Sequence, residues 1–227
     1  MNTKTKIKEI FASIQGEGPV VGYKQLFIRF CGCNLKCNYC DTDFDTNQAE
    51  ECSPAELYEK INKEYELNTF HSISLTGGEP LLATEFLKEF LPLIKNQTKI
   101  YLETNATLDK NLSEIKNYID IISADIKLES STGLDTLNLH KKFFQQCRGI
   151  ETFTKIVFDK NITEQEITEC CKIGKEAEIE LILQPKMLKD NKMSVSSDFC
   201  NKILDRFTSI YPKTRLIPQV HKFINVR

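Results

Sequence analysis

Read for the spacing of apolar positions, the chain alternates between short hydrophobic runs and amphipathic stretches. Strand-like runs fall at residues 6–14, 25–30, 72–75, 99–103, 119–126, 152–158, 179–184 and 214–217. Helical patterns fall at residues 53–67, 84–95, 111–118, 137–147, 163–176 and 196–211. Two helix starts are marked by side chains: Ser53-Pro54-Ala55-Glu56, and Thr163 with Glu166. At that spacing the cap hydroxyl and the carboxylate three residues on each satisfy a backbone N–H that the helix leaves unpaired. Strands that alternate with helices predict βα units, hence an α/β fold with a parallel sheet flanked by helices. Ligand-binding groups of such sheets gather at the carboxyl ends of the strands. The polar clusters Thr76 to Pro80, Glu103 to Asn105, Asp125 to Lys127 and Gln184 to Lys186 fall at predicted strand ends. No internal repeat, linker or low-complexity tract interrupts the pattern, so residues 1–227 are expected to form a single domain.

Composition narrows the class. Apolar residues make up 41% and charged residues 27% of 227, which excludes a disordered, collagen-like or coiled-coil chain. No stretch reaches the roughly 18 to 20 apolar residues of a membrane span. Met1 to Glu9 is polar and lysine-rich, without a signal-peptide core, so the expected location is the cytoplasm. The net charge of −2 gives no general electrostatic reason to expect nucleic acid or membrane as a partner. Residues 213–227 hold Lys213, Arg215, Lys222 and Arg227 and no acid, which reads as a solvated face or an anion-binding edge.

Nine cysteines are unusual for a cytosolic chain, where disulfides are disfavoured and clustered thiols point to metal or redox chemistry. Cys33, Cys37 and Cys40 form C-x3-C-x2-C. Three thiolates so close together suit an iron–sulfur cluster, and three rather than four leave one iron of a four-iron cluster open to a small molecule. With Cys31 a zinc site would have four sulfurs, but structural zinc usually draws two separated pairs. Cys31 is expected to be no ligand. Cys52, Cys147, Cys170, Cys171 and Cys200, single or paired on helical segments, are expected to be buried and inert.

The triplet, early in a βα chain, resembles that of the radical S-adenosylmethionine enzymes. That resemblance implies a partial (β/α) barrel and a [4Fe–4S] cluster held by Cys33, Cys37 and Cys40, whose open iron binds S-adenosylmethionine. Tyr39, before the last cysteine, fits the same pattern. Thr76-Gly77-Gly78-Glu79-Pro80 resembles the stretch that meets the methionine amino group, and implies Gly78 and Glu79 as cofactor contacts. Ser123, Asp125 and Lys127 resemble later contacts to the cofactor's ribose and carboxylate; the family often carries Ser-Pro-Lys there, which leaves open which of the three touches it. Gln184 and Pro185 resemble the last contact, near the adenine.

A narrower resemblance rests on Ile14-Gln15-Gly16-Glu17-Gly18, Gly22, Arg29, Cys40-Asp41-Thr42 and Ile217-Pro218-Gln219-Val220-His221-Lys222. Together these are similar to the 7-carboxy-7-deazaguanine synthases of the pathway to queuosine, over almost the whole chain. The resemblance implies a radical-mediated contraction of 6-carboxy-5,6,7,8-tetrahydropterin, with loss of ammonia, begun by abstraction of the C6 hydrogen. It implies magnesium at Thr42, Asp41 among the cofactor contacts, and substrate contacts at Ile14, Gln15, Gly16, Glu17, Arg29, Thr76 and the terminal carboxylate of Arg227. It also implies a homodimer reduced by a flavodoxin or ferredoxin-like donor.

The side chains suit such a substrate. Gln15 and Glu17 can pair with the hydrogen-bonding edge of a pterin, and Arg29 can clamp a carboxylate or lie in a salt bridge on the sheet. Thr42 offers the oxygen that magnesium prefers, or caps the next turn. Glu103 could contact cofactor or substrate, and the sequence leaves its role open. His221 is expected to be a structural or substrate-edge group, and His71 and His140 to lie at the surface. The competing function is a glycyl-radical-enzyme activase, which has no evident use for Gln15, Glu17, Arg29 and Thr42.

Overall fold

The computed structural model describes residues 3–38, 40 and 49–226. Along the chain these form β1 (Thr5–Ile14), β2 (Lys24–Phe30), β3 (Glu50–Cys52), α1 (Pro54–Glu64), β4 (Ser72–Gly77), α2 (Thr84–Ile94), β5 (Lys99–Thr104), α3 (Asp109–Ile115), β6 (Ile121–Ile126) and α4 (Glu129–Thr132). There follow α5 (Leu137–Gln146), β7 (Glu151–Phe158), α6 (Glu164–Ala177), β8 (Glu180–Pro185), α7 (Ser197–Ile210), β9 (Thr214–Leu216) and α8 (Val220–Ile224). Both expected capping boxes are present. Glu56 Oε2 accepts from the Ser53 N–H at 2.8 Å while Ser53 Oγ accepts from the Glu56 N–H at 3.3 Å, and Thr163 and Glu166 repeat the exchange.

All nine strands join one sheet in the order β3-β1-β2-β4-β5-β6-β7-β8-β9. β1 is antiparallel to both β2 and β3; from β2 to β9 every pairing is parallel. The edges β3 and β9 do not pair with each other, so the barrel is partial.

The sheet is apolar on both faces, as parallel sheets are. One face meets the helices: Ile28, Ile73, Leu102, Ile122, Ile156 and Leu183 pack with Leu57, Phe86, Phe90, Phe143 and Phe207. Each such side chain contributes about 1.5–3 kcal/mol on burial. The other face encloses a smaller cluster of Val20, Tyr101, Ile121, Phe153 and Ile182. Side chains two residues further along the same strands share that inner face. Tyr101 is thus followed by Glu103, Ser123 by Asp125, Phe153 by Lys155 and Ile182 by Gln184. The interior passes from apolar to charged as the strands approach their carboxyl ends.

Three short elements escape the periodicity: β3 and α4 span less than one amphipathic repeat, and α8 has no buried residue. The first helix stops at Glu64 rather than at residue 67, because Tyr65 is extended. Cys52, Cys147, Cys170, Cys171 and Cys200 are buried, and burial pushes the Cys147 thiol up to about 12. His140 corrects the expectation of a surface residue: it is fully buried. Its Nδ1–H donates to Ala106 O at 3.0 Å, and its Nε2 accepts from the Lys127 N–H at 3.0 Å. A histidine on an amphipathic helix can face either way, and here the loop after β5 supplies a carbonyl that needs a donor. His71 is partly buried, stacked on Tyr23 at 4.0 Å between ring centroids. Among the described residues no helix is long and apolar enough to cross a membrane.

Candidate active site

The carboxyl ends of the strands open on a cavity of about 740 Å³, in the upper part of the range for ligand sites. Cys33, Cys37 and Cys40 lie on its lining, and none is in a disulfide. The Leu35 N–H points at Cys33 Sγ from 3.4 Å and Asn105 Nδ2 from 3.7 Å. Burial pushes the Cys33 and Cys37 thiols up; the Leu35 N–H opposes this at Cys33 and the Lys127 charge opposes it at Cys37. Among the described residues no three His, Cys, Asp or Glu side chains converge on the position of one metal ion. Three unpaired thiols, two of them beside N–H donors or a cation, are nevertheless a donor set that suits a thiolate-held cluster. Cys31 faces a different groove, beside Thr84 and Glu85.

The glycine pair serves this loop. Gly77 has φ +131°, and a Cβ there would lie 2.2 Å from Phe30 O. A Cβ on Gly78 would lie 1.8 Å from Gly32 O and 3.1 Å from Cys33 N. The end of β4 thus touches the backbone that presents the first cysteine, an approach open only to glycine. Both glycines line the cavity.

Glu79 does not, which corrects its assignment as a cofactor contact. Its carboxylate is fully buried and accepts from the Leu81 N–H at 3.0 Å, Thr104 Oγ1 at 2.9 Å and the Asn105 N–H at 2.8 Å. It is a brace between the ends of β4 and β5. Burial raises its pKa to about 7 against the pull of those donors. Ser123 is corrected likewise: it is fully buried beneath Asp125 and off the lining, whereas Asp125, Lys127, Gln184 and Pro185 all line the cavity.

Ile14, Gln15, Gly16, Glu17, Arg29 and Thr76 line the same cavity. Both N–H donors of the Gln15 amide are used: Nε2 donates to Gln25 and Glu103, both at 2.9 Å, and Oε1 accepts from the Glu17 N–H at 3.0 Å. Only the second lone pair of Oε1 is left to a ligand. Thr76 Oγ1 donates to Glu103 at 2.8 Å, so Glu103 stands at the centre of the group. Arg29 makes the sheet salt bridge, Nε to Glu9 Oε1 at 2.7 Å, while remaining on the lining.

Glu17 is the most heavily bonded acid of the site. It pairs with Lys155 and accepts from Gln219 Nε2 at 2.6 Å and Gln184 Nε2 at 3.4 Å. Burial pushes this carboxyl up, but Lys155 and the hydrogen bonds from Lys155 and Gln219 outweigh it and hold the pKa at about 2. Lys155 also faces Asp125 at 3.4 Å, and Asp125 accepts from Lys127 at 2.8 Å. His221 packs on Gly16, and the Val220 N–H donates to Gly16 O at 2.8 Å.

The sequence reading missed Lys155 and Gln219. Lys155 carried a signal: a lone cation in the middle of an apolar strand, two residues from Phe153, must point into the barrel. In the basic stretch, Arg215 pairs with Glu180 at 2.5 and 2.6 Å and Lys213 donates to Glu178 O at 2.7 Å, which makes these two a solvated face. Tyr39, Asp41, Thr42 and Arg227 lie outside the described residues.

An open barrel with a thiol-lined cavity at its strand ends defines a class of cluster-dependent enzymes, and residues 27–180 match the Radical SAM superfamily. The chain is 34% identical to the 7-carboxy-7-deazaguanine synthase of Geobacter sulfurreducens, over 96% of each chain. It is 32% identical to the enzyme of that name from Archaeoglobus fulgidus, over 99% of this chain and 100% of the other. The crystal structure of QueE from Escherichia coli shares the fold, with a TM-score of 0.66, 20% identity and coverage of 96% and 95%. The chain belongs to the 7-carboxy-7-deazaguanine synthase family of the radical SAM superfamily.

Proposed function

We propose that this chain makes 7-carboxy-7-deazaguanine, the product in the names of its relatives, from 6-carboxy-5,6,7,8-tetrahydropterin with loss of ammonia, as the sequence resemblance implies. Its cofactors are a [4Fe–4S] cluster, S-adenosylmethionine and magnesium. When bound, the first two supply a 5′-deoxyadenosyl radical, by reductive cleavage of the sulfonium. One observation carries the reading: the three thiols and the Glu17–Glu103 group line one and the same cavity.

In this reading Cys33, Cys37 and Cys40 hold the cluster, and Asn105 orients Cys33 through its N–H. Gly77 and Gly78 let the end of β4 lie against that loop. Asp125, Lys127, Gln184 and Pro185 receive the cofactor. Glu17 and Glu103 face the pterin, whose N3–H and 2-amino group are donors that a carboxylate accepts in parallel. Gln15 and Thr76 orient Glu103 rather than donate to a ligand. The guanidinium of Arg29 takes the substrate carboxylate with the edge that Glu9 leaves to it. Thr42 and Arg227 keep the magnesium and substrate roles that the resemblance implies.

We also propose a single domain, a cytoplasmic location, which nine unpaired cysteines support, a homodimer, and a flavodoxin or ferredoxin-like donor. The activase reading is not favoured, because the Glu17 group has no part to play in docking a protein. The test is anaerobic turnover of reconstituted enzyme with S-adenosylmethionine, magnesium, reductant and the tetrahydropterin. 7-Carboxy-7-deazaguanine is expected by mass spectrometry. Release of 5′-deoxyadenosine without that product would discard the pterin.

A further inference from the structure

Four charges alternate across the cavity floor: Glu17, Lys155, Asp125 and Lys127. Glu17 comes from the loop after β1, Lys155 from β7, and Asp125 and Lys127 from the end of β6. Lys155 is the only member contributed by β7, and its side chain is 7% exposed. A buried ammonium is retained only when carboxylates offset its lost hydration. Two carboxylates do so here, one on the pterin side and one on the cofactor side.

We propose that Lys155 is a positioning residue that keeps Glu17 an anionic, fixed acceptor for a donor of the pterin edge, taken on the Oε2 side that Lys155 shares. This rests on the pterin reading above. The geometry supports it directly. Lys155 takes Glu17 Oε2, while Gln219 and Gln184 approach Oε1, so the plane of the carboxylate is set from both sides. Without the ammonium, the carboxyl would stay buried with the neutral donors Gln219 and Gln184 and with the lesser influence of His221, which packs on Gly16. Burial then favours the protonated form, which donates where the pterin also donates. The other charged or titratable groups around the pair are Asp125, Glu103, Tyr101 and, through Asp125, Lys127. Two of these are carboxylates, so none but Lys127 could replace the missing positive charge, and Lys127 is already bonded to Asp125.

The test is equilibrium binding, not turnover. 6-Carboxypterin, the oxidised and unreactive form of the substrate, is titrated into S-adenosylmethionine-loaded holoenzyme and followed by its own fluorescence; the chain contains no tryptophan to interfere. The wild type should bind with an affinity that Glu17 leaves independent of pH between about 6 and 8, since Glu17 is held at about 2. Lys155→Met should bind about ten- to a hundredfold more weakly at about pH 6, with the gap narrowing as pH rises. Lys155→Arg, which keeps the charge, should retain the flat profile. In a Glu17→Gln background the Lys155→Met change should add no further loss and no pH dependence.

If Lys155→Met does not fold, the comparison of Glu17→Gln with the charge-balanced double variant carries the test. A double variant that binds tenfold more weakly than Glu17→Gln would overturn the proposal. So would a Lys155→Met loss that is the same at every pH, which is what a merely space-filling side chain would give. Failure of the wild type itself to bind 6-carboxypterin would overturn the pterin reading first, and the role of Lys155 with it.

Discussion

At the scale of single residues, the site depends on side chains that cannot be exchanged for near neighbours in chemistry or size. With Cys33, Cys37 and Cys40 as the proposed ligands, removing any one thiol leaves too few soft ligands for the cluster. Each alanine variant is expected to lose the visible iron–sulfur absorption and the release of 5′-deoxyadenosine; full activity in any of them would remove that cysteine from the ligand set. Gly78 is constrained as tightly, by volume rather than by chemistry. A methyl group placed 1.8 Å from Gly32 O must push the cysteine loop away from β4. Gly78→Ala is expected to cost about 1–3 kcal/mol in urea unfolding and to lower the iron bound per chain. Unchanged iron content and an unchanged midpoint would show that the loop tolerates the displacement.

At the scale of elements, the loops after β5 and β6 are held from behind. Ala106 has φ 56°, which costs a non-glycine residue about 1 kcal/mol or more. Its carbonyl is held by His140 and its N–H by Thr104 Oγ1 at 3.2 Å, while Glu79 holds the preceding N–H. Asn105, at the turn itself, bonds Asn34 Oδ1 at 2.8 Å, and so carries this order to the cysteine loop. The two braces respond oppositely to acid. Burial lowers the His140 pKa from 6.5 to about 4, so the unfolded chain takes up the proton first. Its contribution is complete above pH 6.5 and is lost as pH falls to about 4, on the order of 3 kcal/mol. Glu79 is raised from 4.5 to about 7, so its contribution is complete below pH 4.5 and is lost as pH rises to about 7. Between these limits the two slopes oppose each other. His140→Gln in cluster-free protein is therefore expected to become less stable as pH rises from about 4.5 to 6.5, relative to the wild type in urea titrations. Parallel profiles for the two proteins would mean that His140 is not buried as the neutral ring.

The same elements show what periodicity can reveal. The alternation of strands and helices, the two capping boxes and the polar strand ends are local properties, and they are legible in the sequence because each is decided within a few residues. The orientation of His140 depends on a carbonyl 34 positions away. The use of the Gln15 amide depends on Gln25 and Glu103, and the removal of Glu79 from the cavity depends on donors from β5. Such assignments are made by partners that meet only in the folded sheet. Lys155 lies between the two cases, since the strand period already aims it inward and only its acidic partners are non-local.

At the scale of the molecule, the site is built from both ends of the described chain. The loop after β1 supplies Gly16 and Glu17, and residues 219–221 close over them through Gln219, the Val220 N–H and His221. No residue of α8 is buried, so this segment contributes to the site far more than to the core. Deleting residues 219–227 is expected to change stability by less than about 1 kcal/mol and to leave the circular dichroism of the barrel intact. The same deletion should weaken 6-carboxypterin binding at least about tenfold, through the lost bond to the Glu17 carboxylate. A truncated protein that bound the pterin normally would remove the segment from the site.

The bond from Gln219 to Glu17 spans 202 positions, which makes it also an event in time. A growing polypeptide exposes Cys33, Cys37 and Cys40, the proposed cluster ligands, within the first 40 residues and cannot complete the acid's surroundings until β7, β8 and residue 219 have emerged. Contacts of such separation form late, because a large loop must close first. On the proposed assignments, metallation and substrate recognition are thereby separated in the life of each molecule: the thiol rim is accessible while the barrel is unfinished, and the surroundings of Glu17 are completed last.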